Sequence, residues 1–235
     1  MQGMIVLASK MIFFFEMKIN IPNESEQLKV ANFLSLLDKK IELQTKKIED
    51  LKLFKLCIKK KLFSKLNKYA LIQIEKLLNF EQPSKYIVES EEYINDCCAI
   101  PVLTANKAFI LGYCKEDNFY NKGNCIIFDD FTMDMKYVTF PFKIKSSAIK
   151  ILTSKENVDL KYIYEYLTYL NLHSEEHKRH YISMVQKIYI SNPEYNVQRN
   201  ISLKLTCIDN LLLLENSKLE KLIKLKKGLM QNMFV

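Results

Sequence analysis

A long segment of this chain occurs twice. The stretch from Pro22 to Phe63 returns, without a gap, from Pro193 to Phe234. The offset of 171 residues holds for Gln27/Gln198, Leu34/Leu205, Asp38/Asp209, Leu43/Leu214, Lys47/Lys218, Glu49/Glu220, Leu51/Leu222 and Lys55/Lys226. A repeat of this length sets the architecture before any local pattern does. It predicts two equivalent long helices on either side of one central domain.

Between Pro22 and Leu66 there is neither Gly nor a second Pro, and Asn23, Glu24 and Ser25 supply capping and acidic residues for a first turn. In steps of three and four, the first apolar seam runs Leu34, Leu37, Ile41, Gln44, Ile48, Leu51, Lys55, Ile58, Leu62. The second runs Leu205, Ile208, Leu212, Glu215, Leu219, Leu222, Lys226, Leu229, Met233. Both are heptads with polar interruptions at the same two steps. Roughly 40 residues at about 1.5 Å each make a rod of about 60 Å. A lone rod would expose its seam, so the two are expected to pack as an antiparallel coiled coil, the polar steps specifying register. Packing of each helix on the central domain alone is the alternative.

Residues 67–191 lose the helical period. Short β-rich runs follow one another: Tyr86 to Val88, Ala99 to Leu103, Ala108 to Tyr113, Cys125 to Phe128, Tyr137 to Ile144 and Ala148 to Leu152. Asp159 to Leu172 then reads as a helix with Asp159 as N-cap, and Lys187 to Ser191 as a last strand. The expected class is therefore α+β: one mixed, strand-rich domain plus two long helices. The expected divisions are 1–20 as a strand or tail left from a preceding domain, 21–66 as the first helix, 67–191 as the central domain and 192–235 as the second helix.

Three runs of the central domain carry chemical interest. Thr104, Asn106 and Lys107 fall in a tight turn between strands, where polar side chains reach phosphates or base edges; an ordinary hairpin fits equally. Asp129 and Asp130 are a carboxylate pair open to a metal or general-acid reading, yet no third acidic ligand or nuclease-like arrangement completes it, and turn capping or acceptance of a base amino group fits better. The run from Phe142 to Lys150 alternates Lys and Ser with apolar residues, which suits phosphate contact on one face and core on the other, or a solvated strand.

His173, His177 and His180 would share a helical face if the helix reached them, but Lys178 and Arg179 beside them disfavour a cation. DNA contact by Lys178, Arg179, His180 and Tyr181, or packing at the base of the second helix, is the preferred reading. With four glycines in the chain there is no phosphate loop, and no nucleotide fingerprint, nucleophile triad or metal motif is visible. The six cysteines form no CxxC pair and read as reduced thiols of a cytoplasmic protein. The apolar run Met4 to Phe15 is interrupted by Lys10 and is too short to span a bilayer. A net charge of +8 points to a polyanionic partner, although lysines on a solvated helix face would give the same excess.

Ile19-Asn-Ile-Pro22, Glu26-Gln27, Phe33-Leu34 and Leu37-Asp38-Lys-Lys-Ile41, with the closing run from Leu222 to Phe234, resemble the conserved helices of the specificity subunits of type I restriction-modification systems. Glu81 to Val88, Pro101 to Tyr113, Phe128 to Thr132 and Phe142 to Leu152 are similar to a recurring target-recognition domain of that family. Members carry two such domains and this chain carries one, so the resemblance implies a half-length subunit, or the remnant of a truncated or recombined gene. Asn192 in place of Ile21, and Asn196-Val197-Gln198 in place of Ser25-Glu26-Gln27, depart from the pattern.

The resemblance implies a non-catalytic, DNA-reading chain in the cytoplasm. Its expected partners are double-stranded DNA, methyltransferase subunits, a motor-nuclease subunit, and a second copy or another specificity half. It would bind no cofactor itself; S-adenosylmethionine, ATP and Mg belong to the partner subunits. Chemistry and location nominate Thr104, Asn106, Lys107, Lys136, Lys145, Ser146, Ser147, Arg179 and Tyr181 as DNA contacts. The rival functions are a coiled-coil adaptor with a protein-binding head and a small metal-dependent nuclease using Asp129 and Asp130.

Overall fold

The computed structural model describes residues 22–90, 93–94, 96, 98–105, 109–172 and 179–233. The chain divides into two compact units: residues up to Glu49 together with those from Leu214 onward, and Asp50–Leu213. The expected tail over residues 1–20 lies outside the described residues.

Two helices dominate, α1 (Glu24–Phe63) and α4 (Tyr195–Met233). A capping box starts α1: the Glu26 amide donates to Asn23 Oδ1 at 2.9 Å, and the Asn23 amide donates to Glu26 Oε2 at 3.2 Å. The repeat carries one device at both helix starts. Gln27 Nε2 donates to the carbonyl of Pro22 at 2.8 Å, and Gln198 Nε2 to that of Pro193 at 2.8 Å. Both glutamines thus fasten the entering chain to the first turn of the helix it precedes.

In the first unit the helices run antiparallel, since Lys226 pairs with Asp38 while Glu215 meets Gln44 and Lys47. Its seam positions Leu34, Leu37, Ile41 and Ile48, with Leu219, Leu222 and Leu229, are all buried or half-buried, and so, in the second unit, are Leu51, Ile58, Leu205, Ile208 and Leu212. Their neighbours Leu36, Leu43, Leu213 and Leu214 are exposed. Gln44 fills its polar step by donating from Nε2 to the Glu215 carbonyl (2.9 Å) and carboxylate (2.7 Å). That donor, then Lys218 and Lys47, hold the Glu215 carboxyl down at about 2.

The second unit holds the strand-rich domain. β2 (Leu78–Glu81), β8 (Ile149–Ser154), β5 (Cys125–Asp129) and β6 (Met135–Val138) form an antiparallel sheet in that order. β4 (Ile110–Cys114), β3 (Ile100–Leu103) and β7 (Lys143–Ile144) form another, in which β3 and β7 are parallel. β1 (Leu71–Gln73) pairs with β9 (Tyr189–Ser191), and a single helical turn, α2 (Ile74–Leu77), links β1 to β2.

All of β5 is buried, because both of its faces are covered. Ile126 and Phe128 join a core with Phe63, Tyr162, Ile163 and Leu205, while Cys125 and Ile127 join Leu103, Phe142 and Ile144 on the other side. The helix read over Asp159 to Leu172 is α3 (Leu160–Leu170). Asp159 caps it by accepting from the Tyr162 amide at 2.7 Å, and Asn171 ends it in the left-handed conformation.

Two expectations need correction. The run Tyr137 to Ile144 is not one strand, since β6 ends at Val138 and β7 begins at Lys143; Pro141, which has no N–H to donate, lies in the break. The helix expected to run to Leu172 stops at Leu170, and His180 is buried outside any helix. His173 and His177 lie outside the described residues.

Candidate nucleic-acid interface

Because β3 and β7 run parallel, the chain leaves both at the same end. Val102 pairs with Lys143 and Leu103 with Ile144, and the Lys145 amide donates to the Leu103 carbonyl at 3.2 Å, so Thr104 and Lys145 emerge side by side. The Thr104 amide closes the β3–β4 hairpin by donating to the Phe109 carbonyl at 3.1 Å. Ser146 and Ser147 form an exposed turn, in which Ser146 Oγ accepts from the Ala148 amide at 3.1 Å.

That turn is joined to two others. The Asp130 amide donates to the Ala148 carbonyl at 3.0 Å, which brings up the β5–β6 turn. The Asp130 carboxylate accepts from the amides of His180 (3.0 Å) and Tyr181 (2.8 Å), which brings up Arg179. Thr104, Lys145, Ser146, Ser147 and Arg179 therefore sit on adjoining turns, whereas Lys136 lies on the edge strand β6, opposite Ile127. Asn106 and Lys107 lie outside the described residues.

Tyr181 has to leave this set. Its ring is fully buried, 5.5 Å from the rings of both Phe80 and Phe128, so it builds the core and cannot touch a base. The lysines of the Phe142–Lys150 run also separate. Lys143 is buried against Glu116 at 2.5 Å, and Lys150 is buried between Gln82 Oε1 (2.9 Å) and Asp130 (3.3 Å). Lys145 alone of the three is exposed.

The carboxylate pair is taken up by the fold. Asp129 Oδ1 caps its own turn by accepting from the Phe131 (2.9 Å) and Thr132 (3.0 Å) amides. Asp130 is buried and occupied as above. No three His, Cys, Asp or Glu side chains converge as a metal site among the described residues. Burial pushes the Cys125 thiol up to about 12, too high for a nucleophile. An open cleft of about 440 Å³ beside α4 is lined by Tyr137, Asp159, Lys161, Ser202 and Asp209, among others. Its carboxylates are committed, Asp159 to the Tyr162 amide and Ser202 Oγ (2.6 Å), Asp209 to Lys55 and Lys161.

A buried ion cluster lies in this unit, without any signature in the sequence. Glu165 of α3 has no solvent exposure and contacts Lys59 (2.6 Å), Lys161 (3.0 Å) and Lys55 (3.1 Å). Lys55 and Lys161 also reach Asp209 of α4, at 2.5 and 3.0 Å. Burial pushes the Glu165 carboxyl up, but Lys59, Lys161 and Lys55 outweigh it and hold the group at about 2. At Lys59 the balance is reversed: burial outweighs the Glu165 carboxylate and lowers the pKa of the ammonium. Lys55, which interrupts the seam in the sequence, ties α1 to both α3 and α4.

Over an alignment of 142 residues, covering 57% of this chain and 35% of the relative, the sequence is 42% identical to the EcoR124I/EcoR124II type I restriction enzyme specificity subunit of Escherichia coli. Over that stretch the chain is similar to a type I specificity subunit. Solved structures carry the same fold. The type I restriction-modification S subunit of M. genitalium matches with a TM-score of 0.70 at 19% identity, over 91% of this chain and 62% of that one. The HsdS subunit of Thermoanaerobacter tengcongensis matches at 0.53 and 15% identity, over 92% and 60%. This chain thus spans about a third of its E. coli relative and about six tenths of the solved structures. No family model matches it. No helix among the described residues is long and apolar enough to cross a membrane.

Proposed function

We propose that this chain is a DNA-recognition subunit of a type I restriction-modification assembly. The central domain, residues 67–191, reads one half of a bipartite duplex site; the helical segments 21–66 and 192–235 hold the assembly together and dock methyltransferase subunits. The 42% identity to the E. coli specificity subunit carries this reading. The adjoining turns that bear Thr104, Lys145, Ser146, Ser147 and Arg179 support it, because hydroxyls and cations on one rim suit a phosphate backbone with base edges beneath it. Asp129 and Asp130 are committed to backbone amides, which argues against a nuclease.

The chain supplies specificity and leaves the chemistry to its partners, which bind S-adenosylmethionine, ATP and Mg and flip the target base out of the stack. It works in the cytoplasm, where the DNA is. A second copy related by a two-fold axis would make the site an interrupted palindrome, whereas a different specificity half would make it asymmetric.

Light scattering on the chain with its methyltransferase subunit, followed by titration with duplex DNA, tests the proposal. A complex that binds duplex with steep salt dependence is expected. A complex with no duplex affinity at low salt would favour the adaptor reading instead.

A further inference from the structure

We propose that Phe131 and Arg179 act as one base-reading element, held in place by the buried carboxylate of Asp130; this deepens the DNA-recognition reading and rests on it. Phe131 is an aromatic residue at the tip of the β5–β6 turn, 38% exposed. The Arg179 guanidinium lies over its ring, 6.0 Å from the centroid, and is itself exposed. An aromatic face under a guanidinium restricts the side chain and points its donor fork outward.

Both residues are fixed from below. The amides of Phe131 and Thr132 are bound by Asp129 Oδ1, so the turn is closed by its own first residue. Met133 follows with φ 59° and a buried side chain, which anchors the other side of the tip. Arg179 is anchored through the next two residues, whose amides both bind Asp130 Oδ1. Asp130 is only 1% exposed and sits 3.3 Å from the buried ammonium of Lys150. A buried charge pair is costly to build, and here it joins the turn, the Arg179 segment and β8.

The chemistry of the pair defines what it reads. A fixed guanidinium fork matches the O6 and N7 acceptors of guanine in the major groove, and an adjoining ring offers apolar contact to a thymine methyl. The half-site should therefore contain a guanine read by Arg179, with a thymine next to it whose methyl group packs on Phe131. Asp130 touches no base and is a positioning residue.

The test uses the chain assembled with its methyltransferase subunits. A preferred site is first selected from random duplexes, and binding to single-base variants is then measured by fluorescence anisotropy. Arg179→Ala should lose about 5- to 150-fold at the selected site and stop discriminating at one guanine. Arg179→Lys should keep the salt slope but not that discrimination. Replacing the adjoining thymine with uracil removes only the methyl: wild type should weaken and Phe131→Ala should not respond. Asp130→Asn, which keeps an acceptor oxygen, should fold and lose part of both discriminations.

Undiminished discrimination at every position in both Arg179→Ala and Phe131→Ala would overturn the inference while leaving DNA recognition standing. Selection of no motif by the wild-type complex would overturn the DNA-recognition reading itself, and this inference with it.

Discussion

Glu165 is surrounded by three ammonium groups and has no solvent exposure. Losing its charge would take from Lys59 its carboxylate partner and leave Lys55 and Lys161 sharing Asp209, so Glu165→Gln should cost about 3–5 kcal/mol in urea unfolding. A loss below about 1 kcal/mol would mean the cluster is not a stabilising element. The pH dependence has a definite sign. A carboxyl depressed from an ordinary 4.5 to about 2 contributes stability that is fully present above about 4.5 and lost as pH falls toward 2. That contribution is on the order of 3 kcal/mol, and the slope between those limits should flatten in Glu165→Gln. None of this was legible in the sequence. Glu165 sits inside an ordinary amphipathic run, and its partners on α1 lie more than 100 positions away. Tyr181 misled for the converse reason: basic neighbours suggested a surface, whereas its ring fills a gap between Phe80 and Phe128.

The repeat made the long helices legible, because a heptad interrupted at matched steps survives in sequence without any tertiary information. It also shows how equivalent residues diverge. Gln27 is exposed and makes one bond to Pro22, whereas Gln198 is buried and holds Pro193, Asn192 Oδ1 (3.0 Å) and the Asp159 amide (2.9 Å). Gln198→Ala should therefore cost about 1–3 kcal/mol through the groups left unpaired, and Gln27→Ala under about 0.5 kcal/mol. Urea curves for the two variants check this, and equal costs would refute the assigned environments. Short elements were the hard ones. β1, α2 and β2 span three or four residues each, too few to display a period, and their pairing with β9 and β8 is settled by distant strands. The break between β6 and β7 was marked by Pro141, but the flanking β-rich residues concealed it.

At the scale of the molecule, the proposed DNA reading asks for only a few cations on one rim, not for the whole lysine excess. Lys145 stands there beside Ser146 and Ser147, while Lys143 and Lys150 are spent on internal ion pairs. Lys145→Ala should weaken duplex binding about equally for all sequences and make the salt slope shallower by about 1, measured by anisotropy across salt concentrations. An unchanged slope would remove Lys145 from the phosphate contacts. The rim itself was only half legible: the residue types could be named, but the parallel pairing of β3 with β7 and the bonds of Asp130 are what gather them. The central claim is sequence-specific recognition of duplex DNA, and selection from a random duplex pool by the chain assembled with its methyltransferase subunits tests it most directly. Enrichment of one interrupted motif is the predicted result; a pool that emerges with no motif enriched at low salt would contradict the account.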